Sequence, residues 1–266
     1  MAAQPHPWQG RHLGERSVAY DERDAIVYAL AVGAPADRLD LVFEERLRVL
    51  PTFALTLAQW APDTLGSAGA FDTSTAVHGA QRLEVLAPLP RSGKLDLAAR
   101  VDRVWDKGSA AVFDVVVESD FFRATWAIFA PGCGGFGGER GPAAPDGPAG
   151  EPTTSLTVPT AANQAALYRL LGDRHHMHVD PEAARAAGQP RPFLHGLATL
   201  ATVTLALADE LDVHPADLTR LEGRFAAPVF PGDALSVTAW TGGDATRFDV
   251  TADGRPAVRG GLVAFG

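Results

Sequence analysis

The 266-residue chain holds a single cysteine, Cys133, and that scarcity excludes an intramolecular disulfide framework. A lone thiol suits a reducing compartment, so the expected location is cytoplasmic. Positive charge is also short: 23 Lys and Arg face 32 Asp and Glu, for a formal net charge of −9. With no basic cluster, sequence-independent nucleic-acid binding is excluded, because counterion release needs several grouped cations. No apolar run is long enough to span a bilayer, so no membrane partner is expected. The opening MAAQPHPWQGRHLGERSV lacks the basic-then-apolar order of a secretory signal, and the closing VAFG is no Ser-Lys-Leu address.

What the chain does have is apolar residues, 46% of the total. They can fill one large domain or two of about 130 residues each, and the count favours two. Residues 1–16 read as a flexible leader and 17–130 as a first domain. Within it Asp21 to Val32 has a helical face of Ile26, Val27, Leu30 and Ala31, with acids in the first turn. Leu47 to Ala76 reads as mixed loop and short helix. From Ala80 the pattern changes to alternating strands, QRLEVLAPL, KLDLAARVDRVWDK, SAAVFDVVVESD and FRATWAIFA, as in an antiparallel meander. Residues 131–155, dense in Gly and Pro, predict a linker. GCGGFGG inside it lacks the Lys-Ser/Thr of a phosphate-binding loop.

The second domain, 156–266, repeats the first: DALSVTAW matches KLDLAAR, and TRFDVTAD matches AVFDVVVES. One element has no counterpart. Phe193 to Leu211 predicts a long helix apolar on all sides, which must be wrapped by a sheet. Just before it, GDRHHMHVD places Asp173 and His178 five residues apart, and Asp180 with Pro181 marks the start of a short helix. The long helix opens on His195-Gly196, so its free N–H groups face Asp173 and His178. Asp173, His175, His176, His178 and Asp180 also offer donors for a metal. An extended loop with His176, His178 and Asp180 on one side is the rival reading, and the preferred one has no metal. The other histidines carry no constellation, His78 among them.

GDRHHMHVDPEAARAAGQPRPFLHG closely resembles the Gly-Asp-x-Asn-Pro-x-His … His-Gly motif of MaoC-like, (R)-specific enoyl-CoA hydratases. YALAVGA, LRVLPTFALTL, VHGAQRLEVLAPLP, KGSAAVFDVVVES and GCGGFGG resemble the two-hotdog members of that family, so the resemblance spans nearly the whole chain. The departure is His175-His176 in place of Asn-Pro. The resemblance implies an α+β tandem hotdog, each half an antiparallel sheet around a helix. The N-terminal half would have a shortened or missing central helix and take the acyl chain along the Phe53 to Phe71 region. The implied reaction is reversible hydration of trans-2-enoyl-CoA to (3R)-3-hydroxyacyl-CoA. In it Asp173 and His178 activate water and transfer the proton, Gly196 N–H donates to the thioester oxygen, and His175 orients substrate. Arg169, Arg174 and Arg191 are candidates for the coenzyme A phosphates. No cofactor beyond the substrate's coenzyme A is expected, and a homodimer is compatible. The alternatives are a non-catalytic acyl-CoA-binding protein, an acyl-carrier-protein or polyketide dehydratase, or a thioesterase on the same fold.

Overall fold

The computed structural model describes residues 5–143, 147–148 and 150–266. The first half runs through β1 (His12–Tyr20), α1 (Glu22–Ala31), α2 (Leu39–Val42), α3 (Ala54–Leu57), α4 (Trp60–Ser67), β2 (Val77–Val85), β3 (Gly93–Asp106), β4 (Ala110–Glu118) and β5 (Phe122–Pro131). The second runs through β6 (Thr154–Pro159), α5 (Gln164–Tyr168), α6 (Pro181–Ala186), α7 (Gly196–Glu210), β7 (Leu218–Phe225), β8 (Ala234–Gly242), β9 (Ala245–Ala252) and β10 (Arg255–Phe265). The strands form one ten-stranded sheet in the order β1-β3-β4-β5-β2-β7-β10-β9-β8-β6. From each outer edge inward the two halves follow the same path, with β1, β3, β4, β5, β2 answered by β6, β8, β9, β10, β7. The seam is β2 against β7, antiparallel from Ala80↔Arg224 to Glu84↔Arg220. This is the α+β tandem hotdog expected, and the repeated segments fall on equivalent strands, β3 with β8 and β4 with β9.

Period-two patterning explains the strands. In β3, Leu95, Leu97, Ala99 and Val101 are buried while the residues between them face outward. Alternation fails in α7, where Leu197 to Leu205, Leu207 and Ala208 are all buried. The sheet supplies the apolar surroundings such a helix needs, with β6, β7 and β10 in contact with it. Its threonines are satisfied locally: Thr204 Oγ1 donates to the Leu200 carbonyl (2.8 Å), and Thr202 Oγ1 accepts from Gln164 Nε2 (2.8 Å).

The first half fills the equivalent space with broken pieces. A 3-10 turn over Pro51–Phe53 leads into α3, and α4 follows after Ala58 and Gln59. Thr52 to Ala58, Ala61 and Leu65 are buried. No single segment there matches the fifteen residues of α7, as the sequence predicts.

Several expectations need correction. The leader predicted over 1–16 is strand from His12, paired with β3 from Arg100 to Gly93, and Gly10 N–H donates to the Val101 carbonyl (2.7 Å). Its first four residues lie outside the described ones, as do 144–146 and 149 of the predicted linker. The start of that linker folds back as a clasp: the Asp106 carboxylate accepts from the N–H groups of Gly108 (2.8 Å), Gly135 (2.9 Å) and Gly137 (2.8 Å). The expected meander is also interrupted. β2 pairs with β5 and β7, and β3 with β1 and β4. The long helix begins at Gly196 rather than Phe193, because Leu194 N–H is taken by the Val229 carbonyl (2.7 Å) and His195 is an extended N-cap.

Candidate active site

The loop between α5 and α6 meets the head of α7. Asp180 caps α6 by accepting from Glu182 N–H (2.8 Å), with Pro181 at the first helical position. That cap ends a 3-10 turn, His176–His178, which turns His178 inward and leaves His176 exposed. Gly172 lets the loop press against the first half: a Cβ there would sit 2.9 Å from the Thr56 carbonyl oxygen. Gly196 is as tightly held, since a Cβ would lie 2.9 Å from the Phe225 ring. Its N–H is the first of α7, with no carbonyl inside the helix to receive it.

His178 is buried, and its Nδ1–H donates to the Phe193 carbonyl (2.8 Å). That bond fixes the tautomer and leaves the Nε2 lone pair free. Nε2 lies 3.9 Å from Asp173 Oδ2, beyond direct hydrogen bonding. Asp173 Oδ1 is engaged on its other side, 2.5 Å from His175 Nδ1 and accepting from His175 N–H at 3.1 Å. His195 lies behind: its ring stacks on His178 at 3.7 Å, and its Nε2–H donates to the Asp173 backbone carbonyl (3.1 Å). Tyr168 closes the wall, its ring 4.8 Å from His195.

Charge follows from these contacts. Burial works to raise the Asp173 pKa, but the hydrogen bond from His175 and the fields of the three imidazoles outweigh it, and the carboxyl falls well below its usual range. His175, gaining that same bond, is pushed up to about 9. Burial lowers His178 and takes His195 to about 3. At neutral pH the site therefore holds an ionised carboxylate, one imidazolium and two neutral imidazoles. Asp173, His178 and His195 bring donor atoms within 4.8 Å of one another. Each of the two imidazoles bonds a carbonyl through one nitrogen and keeps the other, an arrangement open to a metal as well as to acid–base work. The set with His176, His178 and Asp180 on one side does not form, because Asp180 is spent on α6 and His176 is exposed.

The structure thus brings Asp173, His175, His178 and Gly196 to one place. The arginines differ. Arg169 is half-buried, with no hydrogen-bond partner for its Nε among the described residues, and Arg174 is exposed. Arg191 lies over the Phe230 ring (4.6 Å) and 3.4 Å from Asp233, so a phosphate there competes with a carboxylate. Sequence reasoning passed over two neighbours from the first half. His78 packs edge-on against Phe225 (4.9 Å), the ring that covers Gly196, and burial takes its pKa to about 4. Asp63 on α4 lies within the fields of Asp173 and His175. Neither stands in a local motif, so only the tertiary fold reveals them.

Residues 18–129 match the MFE-2 hydratase 2 N-terminal domain, and residues 145–256 match the MaoC like domain. Enoyl-CoA hydratase ChsH3 of Mycobacterium tuberculosis is 37% identical over 253 residues, 88% of either chain. The chain belongs to the MaoC-like family. Among solved structures, the MaoC-like dehydratase of Phytophthora capsici matches with a TM-score of 0.85 at 26% identity, covering 95% of this chain and 94% of that one. A Mycobacterium tuberculosis protein described as having a double hotdog fold matches with a TM-score of 0.59 over 99% of this chain and 96% of its own. At 16% identity that likeness shows the fold alone. In this MaoC-like chain the domain match over 145–256 contains Asp173, His178 and Gly196. No helix among the described residues is long and apolar enough to cross a membrane.

Proposed function

We propose that this MaoC-like chain reversibly hydrates trans-2-enoyl-CoA to (3R)-3-hydroxyacyl-CoA, with Asp173 and His178 as the acid–base pair and Gly196 N–H as oxyanion donor. The observation that carries this is the 3.9 Å gap between Asp173 Oδ2 and the bare Nε2 of His178 at the head of α7. A water lodged there bonds to two acceptors of the right protonation state. Its oxygen adds to the β carbon of the enoyl thioester as the pair draws off a proton, and a proton is delivered to the α carbon. The charge that gathers on the thioester oxygen meets Gly196 N–H and the positive end of α7. Dehydration retraces these steps with the same groups.

Coenzyme A enters as part of the substrate, and no resident cofactor takes part. Arg169 and Arg174 are proposed to meet its phosphates. The acyl chain is proposed to run toward the first half, where the break between α3 and α4 interrupts the helix. A cytoplasmic site of action fits the single cysteine. The thioesterase and binding-module alternatives gain no support from the relatives reported above.

The test follows enoyl-thioester absorbance on mixing the protein with crotonyl-CoA and with a medium-chain enoyl-CoA, with chiral analysis of the product and a chelator control. Turnover to the (3R) alcohol, unchanged by chelator, is expected. In His178→Ala, turnover falls on the order of 10²–10⁴-fold while CoA-ester binding persists. Unchanged turnover in that variant removes His178 from the mechanism, and binding without turnover in the unsubstituted protein makes the chain a binding module.

A further inference from the structure

His175 stands where the resembling motif has asparagine, and its ring turns onto Asp173 rather than toward the gap beside His178. Ring and backbone both address Asp173 Oδ1, at 2.5 and 3.1 Å. One carboxylate oxygen is thereby taken up, and Oδ2 alone is left for His178. A second carboxylate approaches from the opposite half: Asp63 on α4, with Gln59 Nε2 donating to its Oδ1 at 3.4 Å, acts on both His175 and Asp173. The contact of Gly172 with the Thr56 carbonyl brings the loop and that half together.

We propose that His175 is a positioning residue, whose ring and backbone N–H on Oδ1 hold Asp173 in the rotamer that presents Oδ2 to the water. The proposal rests on the hydratase reading above. An asparagine could offer the ionised Oδ1 only an uncharged donor. The imidazolium makes the contact an ion pair as well as a hydrogen bond, and makes it titratable. The charged groups facing the ring are Asp173 and Asp63. His178 from the same loop and His195 from the head of α7 face it uncharged, and Arg16 of β1 acts on Asp63. Held mainly by the bond to Asp173, His175 titrates at about 9. The hold is therefore complete at neutral pH and is lost as pH rises through that value.

The test uses the full chain labelled with ¹³C at histidine Cε1, the His175 resonance being identified by its absence from His175→Asn. In the unsubstituted protein its midpoint is expected near 9, and in Asp63→Asn it moves down. In parallel, the pH profile of crotonyl-CoA hydration should show an alkaline limb at the same midpoint. That limb shifts with Asp63→Asn and disappears in His175→Asn. At pH 7, His175→Ala lowers kcat on the order of tenfold to a hundredfold with KM nearly unchanged, and His175→Asn recovers part of the loss. A midpoint near 6.5 with turnover intact overturns the proposal and leaves the hydratase reading standing. An alkaline limb unchanged in His175→Asn overturns it as well. Absence of turnover on any enoyl-CoA, with the resonance still near 9, overturns the hydratase reading and the positioning role together.

Discussion

At Gly196 the missing side chain lets the Phe225 ring close over the head of α7, beside the N–H proposed as oxyanion donor. Gly196→Ala keeps that N–H but brings a methyl within 2.9 Å of the Phe225 ring, which itself packs on His78. The ring or the helix must give, and overpacking of this kind costs about 1–3 kcal/mol. Displacement of an oxyanion donor acts on the transition state more than on ground-state binding. The expected outcome is a kcat lower by roughly tenfold to a hundredfold with a smaller change in KM and a lower Tm, read from initial rates on crotonyl-CoA and a thermal melt. Equal rises in KM across substrates with kcat preserved would instead make Gly196 a packing residue. At this scale the sequence was informative about proximity, because Asp173, His178 and Gly196, which the fold brings to one place, lie within one stretch of chain. His78 and Asp63 reach the site from β2 and α4 by tertiary contact, which no spacing encodes.

Among the elements, those with a strong period were legible and those without were not. α1 is an instance of the first kind: Asp21 N–H and side chain trade bonds with Asp24, at 3.1 and 3.0 Å, in the capping box its acids foreshadow. β1 is of the second kind. It is an edge strand and mostly exposed, so no apolar alternation marks it. The glycine-rich stretch after β5 misled for another reason. Composition reports how free a chain is when unpaired, and Asp106 pairs it. The bonds from Gly135, Gly108 and Gly137 hold that carboxylate down to about 2, so the clasp is fully made above the ordinary carboxylate range and weakens as pH falls toward that value. Asp106→Ala leaves those N–H groups without their acceptor. It should lower Tm at pH 7 and speed proteolysis after β5, with the Tm difference shrinking as pH drops to about 3. A Tm equal to that of the unsubstituted protein at pH 7 would reduce the clasp to a surface turn.

Across the whole molecule, the site exists only because two halves share a sheet. The loop bearing Asp173 belongs to the second half and leans on Thr56 of the first, so loosening the seam is expected to loosen the proposed site. Among the contacts that join the halves, two kinds can be weighed against each other. One is ionic: Arg38 joins Asp209 (2.5 Å), and Arg48 joins Asp217. The other is the β2–β7 ladder, in which Leu83 pairs with Leu221, both fully buried. Magnitudes decide between them. Arg38 and Asp209 are partly exposed, and pairs of that kind contribute about 0–1 kcal/mol. Removing a buried leucine side chain from the ladder costs about 2–5 kcal/mol through lost burial and the cavity left behind. Arg38→Ala should therefore shift the denaturation midpoint little and grow more neutral as salt rises, whereas Leu83→Ala should lower stability severalfold more, independently of salt. Because Leu83 touches no reacting group, its variant should also lose turnover at denaturant concentrations where the unsubstituted enzyme stays active, in step with loss of structure. If the Arg38 variant proves the more costly, the halves are held by charge at their flank, and the shared ladder is a consequence of docking rather than its cause.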